Sequence, residues 1–272
     1  VFLRCLLPLL CWLGLTTTPA YAGLHEKLAR YTYSDTRQLV MLVEEAAGLI
    51  EKQGEAAFFE FGRAKSKWFN DQNYLFVYNQ SGKCLFHPIE SSLVGRNMSN
   101  FRDIENRPVI RMIMDIGKDP RPDSSGWVFY LWEEPWQMTP RWKSSYIRKA
   151  VAPDNTTYLI GSGLYDMKIE KVFVEQQVDK AADMMNSLGK AVFFNTLKNR
   201  SYELHLMNNY ITVADVSGNL LVDPNFPSIN IQRNIIIILG MKGVNTEMEI
   251  MQKLKSKDRM WLSHSWPTGE AD

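Results

Sequence analysis

The sequence predicts an α+β fold written twice, a long amphipathic helix packed on an antiparallel sheet, and three observations carry the prediction. Gly54 opens Gly-Glu-Ala-Ala-Phe-Phe, and 135 positions later Gly189 opens Gly-Lys-Ala-Val-Phe-Phe. After one extra residue, Asn73-Tyr74, Val77, Ser81-Gly82, Leu85 and Pro88 are answered by Asn209-Tyr210, Val213, Ser217-Gly218, Leu221 and Pro224. Each run is preceded by a helical apolar period and followed by short strand signals, so the duplicated unit is a domain and not a solenoid repeat.

The first residues follow a secretory pattern. Arg4 precedes an apolar stretch from Cys5 to Leu15 and a small-x-small site, Ala20-Tyr21-Ala22, which predicts a signal peptide over residues 1–22. That stretch is shorter than the roughly 20 residues of a spanning helix. Cleavage would leave Cys84 alone, with no internal disulfide, as a buried strand thiol. The chain opens on Val; an unusual start codon and a sequence cut from something longer both fit.

Ser34-Asp35 is placed to cap a helix through Leu39, Leu42, Val43, Ala46, Leu49 and Ile50, ending at Gly54. Tyr74 to Tyr78 reads as a strand, Asn79 to Gly82 as a turn and Lys83 to His87 as the returning strand. Pro108 to Ile116 is read as helical. Three further strands are expected over 126–132, 144–150 and 157–164, the last two joined by Pro153-Asp154-Asn155. A helix followed by about five antiparallel strands gives an α+β domain with its helices on one side.

The second copy begins with a helix over 167–188 and repeats the hairpin at 210–214 and 220–223. Trp261 to Trp266 answers Trp127 to Trp132, with six residues remaining after it. Either this copy is degenerate or the sequence stops inside it, and the second reading is favoured because a missing hairpin would bare a sheet edge. The expected organisation is therefore a signal peptide over 1–22, a first domain over 23–167 and a second over 168–272.

Thirty-one Lys and Arg balance 30 Asp and Glu, and the basic residues are scattered. Neither a nucleic-acid footprint nor a polybasic membrane patch is present. Aromatic residues are concentrated instead: Trp127, Phe129, Tyr130, Trp132, Trp136, Trp142 and Tyr146, with Arg141, Lys143 and Arg148 among them. On a strand Val128, Tyr130 and Trp132 share one face, and Trp127, Phe129 and Leu131 the other. Cations among aromatic walls suit a small carboxylate. The same residues also suit a plain core from which the cations snorkel to water.

The ordered set Gly126-Trp127-Val128-Phe129-Tyr130-Leu131-Trp132 with Pro135, Lys143-Ser144-Ser145-Tyr146, and Tyr158-Leu159-Ile160-Gly161-Ser162-Gly163-Leu164-Tyr165 resembles the single-Cache type of extracellular sensor domain. The resemblance spans residues 34–167 and, more weakly, 168–272. It implies a PAS-like antiparallel sheet behind a long N-terminal helix and a pocket for a small organic ligand, often a short carboxylate. By the same resemblance Tyr130, Trp132, Lys143, Tyr146 and Tyr165 are expected to surround the ligand, with Lys143 as the anion's partner. In the second copy His264 stands in place of Tyr130, and Lys143 has no counterpart.

Enzyme signatures are poor. Gly161-Ser162-Gly163 is not Gly-x-Ser-x-Gly, and a third dinucleotide-binding glycine is replaced by Asp166. Its glycines are read as close packing of a strand. His25, His87, His205 and His264 are far apart and lack ligands at metal spacing. The expectation is thus a non-enzymatic, exported binding protein of the periplasm or extracellular space, with no cofactor and no metal. It recognises a small organic acid and feeds chemotaxis or signal transduction through a membrane receptor or kinase partner. The alternative is a structural or protein-interaction module with no small-molecule ligand.

Overall fold

The computed structural model describes residues 19–70, 73–135, 139–199, 201–224, 259 and 261. Helix α1 (Pro19–Ala29) runs across the expected cleavage site, and α2 (Ser34–Gln53) follows it. Residues 1–18 of the expected signal peptide, and His264 and Trp266 of the second copy, lie outside the described residues.

A short helix α3 (Ala57–Phe61) leads into β1 (Phe76–Asn79) and β2 (Cys84–Phe86), then helix α4 (Val109–Gly117). Three longer strands complete the sheet: β3 (Ser125–Glu133), β4 (Pro140–Val151) and β5 (Thr157–Tyr165). The order is β2-β1-β5-β4-β3 and every described neighbour is antiparallel. All five expected strands therefore form one sheet, with β3 at one edge.

The apolar stripe of α2 (Leu39, Val40, Val43, Ala46, Ala47, Ile50) packs on one face of the sheet, against Val77, Tyr146, Ala150, Tyr158 and Ile160. The opposite face is also apolar, presenting Phe76, Tyr78, Val128, Tyr130, Trp132 and Leu159, and α4 covers it with Val109, Ile110 and Ile113. Helices on one side only was thus the wrong expectation. Strand β5 is buried from Tyr158 to Gly163 on both of its faces, and a sheet apolar on both sides needs cover from both. The glycines of 161–163 make that closeness possible. A Cβ on Gly161 would sit 2.5 Å from Ile147 Cδ1, and one on Gly163 2.3 Å from Ser145 Oγ.

The expected cap of α2 is replaced by a tertiary contact. Tyr33 precedes the helix with no side-chain cap bond, and Ser34 Oγ donates to Asp35 instead. The carboxylate of Glu170, 0% exposed, accepts the backbone N–H groups of Thr32 at 2.7 Å and Tyr33 at 2.9 Å. Glu170 also immediately precedes α5 (Lys171–Leu188), so one side chain ties the starts of two helices together.

Beyond α5 come α6 (Lys190–Lys198), β6 (His205–Leu206), β7 (Asn209–Tyr210), β8 (Val213–Ala214) and β9 (Leu220–Val222). The β8–β9 hairpin has the geometry of β1–β2. Val77 pairs with Phe86 and Tyr78 with Cys84 around an irregularity between 77 and 78. Val213 pairs with Val222 and Ala214 with Leu220 around one between 213 and 214. Both turns place glycine at positive φ, Gly82 at 81° and Gly218 at 83°, a region glycine enters without steric cost. In each, an Asx side chain collects two backbone N–H groups, Asn79 from Ser81 and Lys83, Asp215 from Ser217 and Asn219.

Candidate functional site

Strands β3 and β4 set the site by register. Tyr130 lies opposite Lys143 and Val128 opposite Ser145, all on the α4 face, while Trp127 lies opposite Tyr146 on the α2 face. Lys143 is 1% exposed. Its Nζ donates to the Tyr74 hydroxyl at 2.5 Å and stands 4.0 Å from the Tyr74 ring centroid, 5.1 Å from that of Tyr165 and 5.5 Å from that of Phe76. No ion pair of Lys143 is formed among the described residues.

Around the ammonium is a ring of polar tips on aromatic bodies. The Tyr74 and Tyr165 hydroxyls are 3.4 Å apart, Tyr165 donates to the Glu133 carbonyl at 2.7 Å, and Tyr130 pairs with Ser145 Oγ at 2.9 Å. His87 Nδ1 accepts the Glu90 N–H at 2.9 Å, so in the neutral ring Nε2 carries the proton. Trp132 Nε1 donates to Glu90 Oε1 at 2.9 Å. Between these groups and Ile110 and Ile113 of α4 lies a small cavity of about 10 Å³, space for about one water.

Burial dominates the electrostatics. It pushes the Lys143 ammonium down to about 7, opposed only by the more distant Glu90 charge. It holds His87 down to about 3, with the Lys143 charge adding to the effect, so the imidazole is neutral. The phenols of Tyr74 and Tyr130 are raised by the same desolvation, and Tyr165 is pushed up to about 12. The result is one marginal cation beside three firmly protonated hydroxyls, and the cation has no carboxylate in ion-pair contact among the described residues.

Tyr130, Trp132 and Lys143 line the cavity and Tyr165 borders it through its ring contact with the ammonium. Tyr146 does not. Three residues from Lys143 on a period-two strand, it faces α2, where its hydroxyl donates to Glu44 Oε1 at 2.6 Å. There Lys27 and Arg148 complete an ion cluster on Glu44. Burial acts to raise the Glu44 carboxyl, but the bonds from Lys27 and Tyr146 hold it below its ordinary value.

Tyr74, Phe76 and His87 were missed. Tyr74, Phe76 and Tyr78 alternate along one extended segment, a signal that three rings share a face. Among the described residues no cluster of His, Cys, Asp and Glu suits a metal ion, and no helix is long and apolar enough to cross a membrane.

Three solved structures are similar to this chain. A periplasmic sensor domain of a chemotaxis protein is 22% identical, covering 54% of this chain and 94% of its own, with a TM-score of 0.37. A Cache chemosensory domain described for carboxylic acid recognition is 23% identical, covering 53% and 99%, with a TM-score of 0.41. A methyl-accepting chemotaxis protein from Vibrio parahaemolyticus is 16% identical, covering 53% and 91%, with a TM-score of 0.34. A family model described as Cache domain matches residues 48–272, most of the chain. The chain belongs to the Cache domain family.

Proposed function

We propose that the module of residues 23–167 is a sensory ligand-binding domain for a small organic acid, working outside the membrane and feeding chemotaxis or a related signalling pathway. One observation carries this reading: the ammonium of Lys143 is buried without an ion pair among the described residues, amid the hydroxyls of Tyr74, Tyr130 and Tyr165. An uncompensated buried cation is unfavourable, and a carboxylate supplies the missing charge. Its two oxygens would take Lys143 Nζ and a phenol, and its short apolar tail would meet Phe76, Trp132, Ile110 and Ile113. The cavity of about 10 Å³ is too small for such an acid. Admission of an acid displaces α4 outward, because the sheet on the other side is braced by α2.

Occupancy has a short route to the rest of the chain. Tyr165, in contact with Lys143, ends β5, and five residues later Glu170 grips the backbone ahead of α2 and begins α5. The recurrence of the β1–β2 hairpin in β8–β9 supports a second module of the same ancestry over residues 168–272.

Thermal unfolding in acetate, propionate, amino acids and amines tests the reading. A true ligand at 100 times its dissociation constant stabilises by about 2.7 kcal/mol, a rise of roughly 5 to 10 °C for domains near this size. Lys143→Met is expected to abolish the carboxylate shift while leaving a folded protein. A carboxylate shift that survives Lys143→Met, or a response to amines alone, overturns it.

A further inference from the structure

A second cleft, of about 530 Å³, lies on the far side of β3 from β4. Its floor is the open edge of that strand from Ser125 to Phe129. One wall is α4 at Met112, the other is α5 at Phe173 and Gln176, and Tyr202 closes one end.

The register fixes what this edge offers. Leu131 N–H points away from β4, since it donates to Asp103 Oδ2 at 2.9 Å. Antiparallel pairing alternates inward and outward groups, so the N–H and C=O groups of Phe129 and Trp127 also point outward, into the cleft. Neither N–H has a backbone or side-chain partner among the described residues. Donor and acceptor thus recur every second residue, about 6.8 Å apart, beside the half-buried rings of Trp127 and Phe129 and the buried ring of Phe173. Of the cations lining the cleft, Lys27 is paired with Glu44, Arg107 with Glu105 and Lys180 with Glu203, whereas Arg30 is exposed with no ion pair among the described residues.

We propose that this cleft binds a short extended peptide of about three residues, with an apolar side chain and a free C-terminal carboxylate, added as a strand to the β3 edge. A peptide backbone repeats donors and acceptors at the spacing of the edge. The aromatic wall takes the side chain, and the Arg30 guanidinium takes the carboxylate. This site is separate from the Lys143 cavity and stands whether or not that cavity binds an acid.

Titration calorimetry with the tripeptide alanyl-phenylalanyl-alanine tests it, alongside its C-terminal amide and an analogue methylated at the central amide nitrogen. The free acid is expected to bind, the amide about tenfold more weakly, and the methylated analogue not at all. Gln176→Trp, an exposed position that fills the cleft, should remove peptide binding without changing the melting temperature or the response to acetate. Arg30→Glu should weaken the acid and spare the amide. Absence of binding at millimolar peptide, as when a second copy or another segment of this chain fills the cleft, overturns the proposal. So does binding that Gln176→Trp leaves intact, or binding that Lys143→Met removes.

Discussion

Lys143 holds its ammonium 2.5 Å from the Tyr74 hydroxyl and 4.0 Å from the centre of the Tyr74 ring, so one tyrosine supplies the cation with both its acceptor and its π-face. That arrangement softens the burial of a charge without neutralising it. A phenol whose own ionisation is pushed upward by burial stays a dipole, and a dipole offsets less of the desolvation than a carboxylate would.

The first prediction concerns pH and stability. Lys143 titrates at about 7 in the folded protein against an ordinary 10.5. Between those values the unfolded chain binds a proton there that the native state does not, so stability rises with pH, by at most about 1.4 kcal/mol per pH unit. His87, held at about 3 against an ordinary 6.5, acts in the same direction between pH 3 and 6.5. Above pH 10 the raised tyrosines reverse the trend, since the native state then keeps protons the unfolded chain loses. Urea unfolding from pH 7 to 10 should show the rise, and Lys143→Met should flatten it. A wild-type curve as flat as the variant's would contradict the buried ammonium.

Binding of an acid should then be linked to proton uptake. Near pH 8 the folded, unliganded protein has Lys143 mostly neutral, and a bound carboxylate restores the ammonium. The expected uptake is about 0.9 proton per ligand, and affinity should fall about tenfold per pH unit above 8. Calorimetry in phosphate and in Tris, buffers of different ionisation enthalpy, reads the uptake directly. Equal heats in the two buffers would show that the ammonium is not the carboxylate's partner.

The two faces of β4 should separate under mutation. Tyr146→Phe removes a 2.6 Å hydrogen bond from the buried Glu44 carboxylate and should destabilise by about 1 to 2 kcal/mol. The melting shift caused by a carboxylate ligand should be unchanged, because Tyr146 points toward α2. Gly163→Ala has the opposite signature. Its Cβ would stand 2.3 Å from Ser145 Oγ and 2.8 Å from Lys143 Cε, so besides a strain of about 1 to 3 kcal/mol it displaces the ammonium and should weaken the ligand response.

How far the sequence could be read follows from where each contact lies. Tyr130, Trp132 and Lys143 were legible because two neighbouring strands bring them together within one short aromatic run. The resemblance groups Tyr146 with them, although strand periodicity puts positions 143 and 146 on opposite faces. Tyr74 and His87 flank the β1–β2 hairpin, and their meeting with Lys143 depends on β5 lying between β1 and β4. No local pattern encodes that order. The cover by α4 was implied by residues already in view, since Val128, Tyr130 and Trp132 are as apolar as Trp127, Phe129 and Leu131 on the other face.

Glu170 was not legible at all, and it carries the last prediction. Nothing in Ile169-Glu170-Lys171 distinguishes it from a solvated helix-start carboxylate, yet both its oxygens are used, Oε2 by Thr32 N–H and Oε1 by Tyr33 N–H. Glu170→Gln keeps the shape but turns one acceptor into an amide donor facing an N–H group. Stability should fall by about 1 to 3 kcal/mol. Amide exchange at Thr32 and Tyr33 should speed up far more than exchange in the middle of α2, where Val43 and Ala46 remain packed on the sheet. If the route from Tyr165 to Glu170 carries occupancy, propionate should slow exchange at Thr32 and Tyr33 in the wild type. In Glu170→Gln it should still raise the melting temperature while leaving exchange at those two amides unchanged. Ligand-dependent protection that persists in the variant would remove Glu170 from the route and leave it as an anchor for the start of α2.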